Sequence, residues 1–142
     1  CPRWPRAFDG VRIAHLTDFH LGDLMPLDRA VDAVERLSAL RPDLVACTGD
    51  VVDLDSHGAE PLLAAMGAMP APLGRYLVLG NHDHLDAGHM LASLAEMRGM
   101  QVLDGQVAAA ERPERQPVGR ARQHHVAKLG AQVAVAACLR HP

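Results

Sequence analysis

Short apolar blocks with the period of a strand alternate along the first hundred residues with wider stripes of helical spacing, and each strand-like block ends on polar residues. Val11-Arg12-Ile13-Ala14-His15-Leu16 closes on Thr17-Asp18, the pattern of a buried strand that delivers Asp18 at its C-terminal edge. Leu27, Val31, Val34, Leu37 and Leu40 then recur at helical spacing, with Pro26 near the start and Arg41-Pro42 at the close, which predicts one amphipathic helix. Asp43-Leu44-Val45-Ala46-Cys47-Thr48 reads as a second strand ending on Gly49-Asp50. Arg75-Tyr76-Leu77-Val78-Leu79 reads as a third, ending on Gly80-Asn81-His82-Asp83. Helices are expected over residues 58–69 and 87–97, with a short fourth strand at 101–103. Strands alternating with helices imply an α/β fold with a largely parallel sheet, and ligands of such sheets sit at the carboxyl ends of the strands. All three polar clusters fall there.

After Gly105 this periodicity dissolves into an Arg-, Gln- and Ala-rich stretch, so residues 1–105 form the expected domain body and 106–142 an atypical, unassigned tail. Residues 131–139 fit a strand or a helix equally well. Charge divides at the same place: the body holds 8 Lys and Arg against 15 Asp and Glu, a net −7, while the tail holds 6 against 2, a net +4. An acidic body without a basic face, carrying only Trp4, Phe8, Phe19 and Tyr76 as aromatics, argues against nucleic acid as a partner and suits a site that collects cations. Cys1, Cys47 and Cys138 are an odd, widely spaced set without CxxC, which points to a reducing, cytoplasmic setting and away from thiolate zinc. No run approaches the ~20 apolar residues of a membrane span.

The first polar cluster, Asp18-Phe19-His20, would bring a carboxylate and an imidazole to the same side of an extended backbone, converging on one cation. The second, Gly49-Asp50 with Asp53 three residues on, places at a strand end a carboxylate able to bridge two cations. Taken singly, each is also what an ordinary polar turn looks like. The third, Gly80-Asn81-His82-Asp83, is harder to explain by packing: an Asn carbonyl is a hard ligand, an imidazole can act as acid or electrostatic clamp, and a carboxylate can hold its ring.

In this order and spacing, Asp18-x-His20, Gly49-Asp50-x-x-Asp53 and Gly80-Asn81-His82-Asp83 resemble the signature of the calcineurin-like metallophosphoesterases, over roughly residues 10–105. Leu16-Thr17-Asp18-Phe19-His20-Leu21-Gly22 and Asp43-Leu44-Val45 are most similar to a bacterial branch that includes membrane-associated phosphohydrolases and lipid-sugar pyrophosphatases. The resemblance implies a four-layer α/β/β/α sandwich, incomplete at the C-terminus, with two divalent metal ions (Mn, Fe, Zn or Mg) at one edge of the paired sheets. It implies that Asp18 and His20 hold the first ion, Asp50 bridges both and Asn81 holds the second. His82 would stand beside the substrate phosphate with Asp83 orienting its ring, and Asp53 would give support from behind. The implied activity is hydrolysis of a phosphate ester or pyrophosphate through a hydroxide bridging two metals. A non-catalytic remnant binding one metal or none, and a nuclease of the same superfamily, stay open as alternatives. A small phosphate-containing substrate is the implied partner, and the branch leaves peripheral membrane association of a longer parent open.

Such sites are completed by a later His and a Gly-His-x-His motif, which this sequence lacks; His141, after the apolar stretch 134–139, is the candidate for the first of the missing imidazoles. The charge reversal and lost periodicity near residue 106 predict a shortened or out-of-frame end. His124 and His125 read as unliganded loop histidines, His57, His84 and His89 as solvated, and His15 as packed within the first strand. Met66, Met69, Met90, Met97 and Met100 read as core filler.

Overall fold

A computed structural model describes residues 8–111 apart from positions 24, 54, 57, 86 and 87, together with the backbone of residues 132–136. His124, His125, His57 and the candidate ligand His141 lie outside the described residues. Four short strands, β1 (Ile13–Leu16), β2 (Leu44–Cys47), β3 (Arg75–Leu77) and β4 (Gln101–Val102), form one sheet in sequence order, and every neighbouring pair is parallel. Helices α1 (Leu27–Ala39), α2 (Glu60–Ala68) and α3 (Gly88–Met97) make the three crossovers. The expected α/β class with a parallel sheet is therefore what the chain forms.

The alternation of each strand decides which layer it feeds. Ala14 and Leu16 of β1, Val45 and Cys47 of β2 and Leu77 of β3 point to one face, where Ala30 and Val34 of α1, Leu62, Leu63 and Met66 of α2 and Leu91 and Ala95 of α3 close the main core. Leu44, Tyr76 and Leu103 point the other way and meet Phe8, Leu73, Ala108 and Ala110. One face of the sheet is covered throughout and the other over β2, β3 and the end of β4, in keeping with parallel strands that read as nearly continuous apolar runs. Ala108 and Ala110 belong to β5 (Val107–Glu111), which pairs antiparallel with β6 (Gln132–Ala136) in a separate two-stranded sheet. The undecided stretch 131–139 thus contains a strand. Helices, main sheet and second sheet supply three layers among the described residues.

Local chemistry explains the ends of α1. Pro26 occupies the N-cap in an extended conformation, and after Leu40 the chain turns left-handed at Arg41 (φ 50°), because Pro42 disfavours a helical residue before it. The Arg41 N–H donates to the Ser38 carbonyl, while Asp43 takes the Arg12 N–H at 2.8 Å and ties the start of β2 to the entry of β1.

Two packing expectations fail, for a common reason. His15 is exposed and its Nε2 lies 2.8 Å from the Thr48 hydroxyl, because with Ile13 (50% exposed) it sits on the β1 face that the described part of the second sheet leaves open. Met66, Met69 and Met100 are buried, but Met90 and Met97 lie on the outer side of α3, Met97 at 72% exposure. Helical spacing marks a stripe; it does not say how wide a stripe the neighbours cover.

Candidate metal centre

The loops leaving β1, β2 and β3 are joined backbone to backbone before any side chain contributes. Asp18 N–H donates to the Gly49 carbonyl (3.1 Å), His20 N–H to the Asp50 carbonyl (2.9 Å) and Leu21 N–H to the Val51 carbonyl (3.0 Å), which zips the first loop along the second. Gly49 (φ 100°) and Gly80 then let the second and third loops touch. A Cβ on Gly49 would lie 2.4 Å from Gly80 N, and one on Gly80 would lie 2.1 Å from Asp50 Oδ1. No side chain fits at either contact.

Asp83 clamps the same junction. Its carboxylate is 1% exposed and accepts three backbone N–H groups, Val51 (2.8 Å) and Val52 (3.1 Å) at Oδ1 and Gly80 (2.8 Å) at Oδ2. The ring of His82 lies against Asp53, while the Asp83 carboxylate faces backbone N–H groups. His82 Nδ1 is 3.0 Å from the Asp53 carbonyl oxygen and 3.1 Å from its Oδ1. A carbonyl oxygen can only accept, so Nδ1 carries the proton and Nε2 is left free for a ligand. The hydrogen bond to the Asp53 carbonyl, aided by the charges of Asp50 and Asp53, raises the His82 pKa above the ordinary imidazole value. The Gly-Asp-x-x-Asp spacing was the one trace of this pairing in the sequence.

Asp18, His20 and Asp50 converge as the spacing suggested, each offering one ligand atom, all within 4.8 Å of one another. The route differs from the extended backbone expected. Asp18 (φ 54°), His20 (φ 45°) and Asp50 (φ 51°) are all left-handed, which swings the first two outward around the buried Phe19. His20 Nε2 stands 3.8 Å from Asp18 Oδ1 and 3.8 Å from Asp50 Oδ2, while its Nδ1 is 3.6 Å from Asp53 Oδ1. These separations are too long for hydrogen bonds. They are close to the ~3.4 Å between two donors that each sit ~2.1 Å from a shared tetrahedral ion. His20, Asp53 and His82 form a second convergent trio beside the first, with the two imidazole rings edge to face at 4.6 Å.

Asn81 is exposed between two residues that both press on Asp50, Gly80 through its backbone and His82 through an N–H donated to Asp50 Oδ1 at 3.0 Å. Two carboxylates and an imidazole without thiolate, half exposed and not bonded to one another, fit a hard or borderline divalent cation.

A model of the calcineurin-like phosphoesterase family matches residues 11–117. The chain is 30% identical over 112 residues to a transmembrane protein with metallophosphoesterase domain from Danio rerio, covering 78% of this chain and 26% of the relative. It is 35% identical over 85 residues to the uncharacterized metallophosphoesterase YkuE of Bacillus subtilis, covering 56% and 29%. It is 38% identical over 77 residues to the UDP-2,3-diacylglucosamine pyrophosphatase LpxG of Chlamydia trachomatis, covering 53% and 23%. The chain thus spans under a third of the length of these relatives. Among the described residues no helix is long and apolar enough to cross a membrane.

Proposed function

The chain belongs to the calcineurin-like phosphoesterases, a hydrolase family that uses divalent metals, and from that premise we propose that it hydrolyses a phosphate ester or pyrophosphate bond with two divalent ions. One observation supports this above the others. Asp18 Oδ1, His20 Nε2 and Asp50 Oδ2 face one another at ion-sharing rather than hydrogen-bonding distances, at the carboxyl end of a parallel sheet.

In this reading Asp18, His20 and Asp50 hold the first ion, and Asp50 with Asn81 holds the second. When bound, the ions supply Lewis acidity toward phosphate and water. The residues do the rest. Asp53 holds the Nδ1–H of His82, so that Nε2 faces outward and, in the doubly protonated ring, donates to a phosphate oxygen or passes its proton to the departing group. Asp83 holds Gly80 and Val51 together and so fixes the distance between the two loops that carry Asp50 and Asn81. The acidic body disfavours a nuclease, because a polyanion would meet net repulsion beyond the ions themselves.

A second reading, one ion and no turnover, is favoured by one observation: His20 is shared by both convergent trios. Counting Mn per chain by elemental analysis separates the two, as does hydrolysis of bis-p-nitrophenyl phosphate. Two ions and turnover that Asp50→Asn lowers by about 100-fold or more, the scale of losing a main charge-stabilising group, support the phosphoesterase. Unchanged rates in that variant would discard it.

A further inference from the structure

Behind the Gly80–Asp83 loop, between the ends of β3 and β4 and the first turns of α3, lies a cavity of about 310 Å³. Leu79, Ala92, Val102 and Leu103 give it a carbon lining, and His84, His89 and Asp104 add exposed polar groups. Among the described residues that line it, none is Lys or Arg.

We infer that this cavity is the subsite for an uncharged aryl or alkyl group on the phosphate, an inference that rests on the phosphoesterase reading above. Position is the first argument. Leu79 and His84 flank the Gly80–Asp83 loop, and a Cβ on Gly88 would lie 3.1 Å from His84 Nδ1 and 3.2 Å from the Asp83 carbonyl oxygen, so the loop rests directly on the start of α3. The loop that carries His82 is thus flanked at both ends by residues that line the cavity. Charge is the second argument. Asp104 repels an anion, and among the described lining residues no lysine or arginine answers it, which favours an uncharged part of the substrate here. Size is the third. A dry cavity of ~150 Å³ holds benzene, so about 310 Å³ accommodates a bicyclic aromatic or a chain of similar bulk. His84 and His89 can hydrogen-bond an ether or amide on such a group.

The test uses the full chain with Mn²⁺ and two p-nitrophenyl phosphodiesters whose second ester group is methyl or 1-naphthyl. Ala92→Leu shrinks the cavity, and the ratio of KM for the naphthyl ester to KM for the methyl ester is expected to rise about 5-fold, the scale of one or two methylenes of lost burial. Titration with (1-naphthylmethyl)phosphonic acid, whose naphthyl group is joined to phosphorus through carbon and so cannot be hydrolysed, followed by methyl NMR, is expected to shift Leu79, Val102 and Leu103 saturably in the unmodified protein. If the protein hydrolyses neither ester, the phosphoesterase reading falls while the titration still decides the cavity. Unmoved methyl signals, or equal KM changes for both esters in the variant, overturn the subsite.

Discussion

Asp83 is the residue whose loss should link folding to metal binding most clearly. Its buried carboxylate holds three N–H groups from two loops, and each hydrogen bond to a charged group contributes ~1.5–3 kcal/mol. In Asp83→Asn the amide can keep only one oxygen. The favourable orientation leaves that oxygen on Val51 and Val52 and turns the NH₂ toward the Gly80 N–H, donor against donor. One buried donor is then unsatisfied, a loss of about 2 kcal/mol. Asp83→Ala strands all three, for roughly 4 kcal/mol once partial access of water is allowed. Urea unfolding followed by circular dichroism measures both, and with a slope of ~2 kcal/mol/M the Asn variant should unfold about 1 M earlier. Because the clamp sets the approach of Gly80 to Asp50, Mn affinity in Asp83→Asn should fall as well, although no ligand has been removed. A midpoint within 0.2 M of the unmodified protein, with Mn binding intact, would refute the clamp.

Two further outcomes follow from the same contacts. Gly80→Ala places a Cβ 2.1 Å from Asp50 Oδ1 and 2.5 Å from Asp50 N, so it should lower stability by about 2–3 kcal/mol, as overpacking does, and weaken Mn binding in titration calorimetry; an unchanged protein would show that the loops can part. Burial pushes the Cys47 thiol up from 9.0 to about 12, so with Cys1 and Cys138 replaced by Ser the folded chain should react with a thiol reagent only as it unfolds. The sign for stability follows: above pH 9 the unfolded thiol ionises while the folded one does not. Stability is therefore full below pH 9 and declines by up to ~1.4 kcal/mol per pH unit toward pH 12. Rapid labelling of the folded protein at pH 8 would contradict this.

Much of this arrangement was legible because strand and helix periods differ. The apolar runs at Ile13–Leu16, Leu44–Cys47 and Arg75–Leu77 alternate with helical stripes, and that alternation already demands parallel strands with their polar ends on one edge. Three clusters far apart in sequence therefore had to meet. Less accessible was which neighbour each member takes. Asp83 and Asp53 are both carboxylates near His82, and only the fold shows that Asp83 is consumed by backbone N–H groups while Asp53 faces the ring. Nor could local pattern reveal that His15 lies exposed on its face of the sheet, since the described residues that cover that face over the neighbouring strands include those of β5, past the point where the period fails.

The left-handed residues show how the site differs from a set of well-placed turns. Among the described residues four non-glycine positions have positive φ: Arg41, which ends a helix before proline, and Asp18, His20 and Asp50. Such a conformation costs roughly 1 kcal/mol or more per residue, and Asp and His tolerate it better than most. Three such costs gathered at one point, with two carboxylates brought together near an imidazole, oppose folding. The zipper of Asp18, His20 and Leu21 against Gly49, Asp50 and Val51 and the Asp83 clamp offset them. On the proposed reading a cation would relieve the repulsion between Asp18 and Asp50 at loops already joined backbone to backbone, so little binding energy would go into building the site. On the same reading the strain is present before the ion arrives, so the clamp at Asp83, which supplies no ligand, would set affinity, and Mn titration of Asp83→Asn tests this.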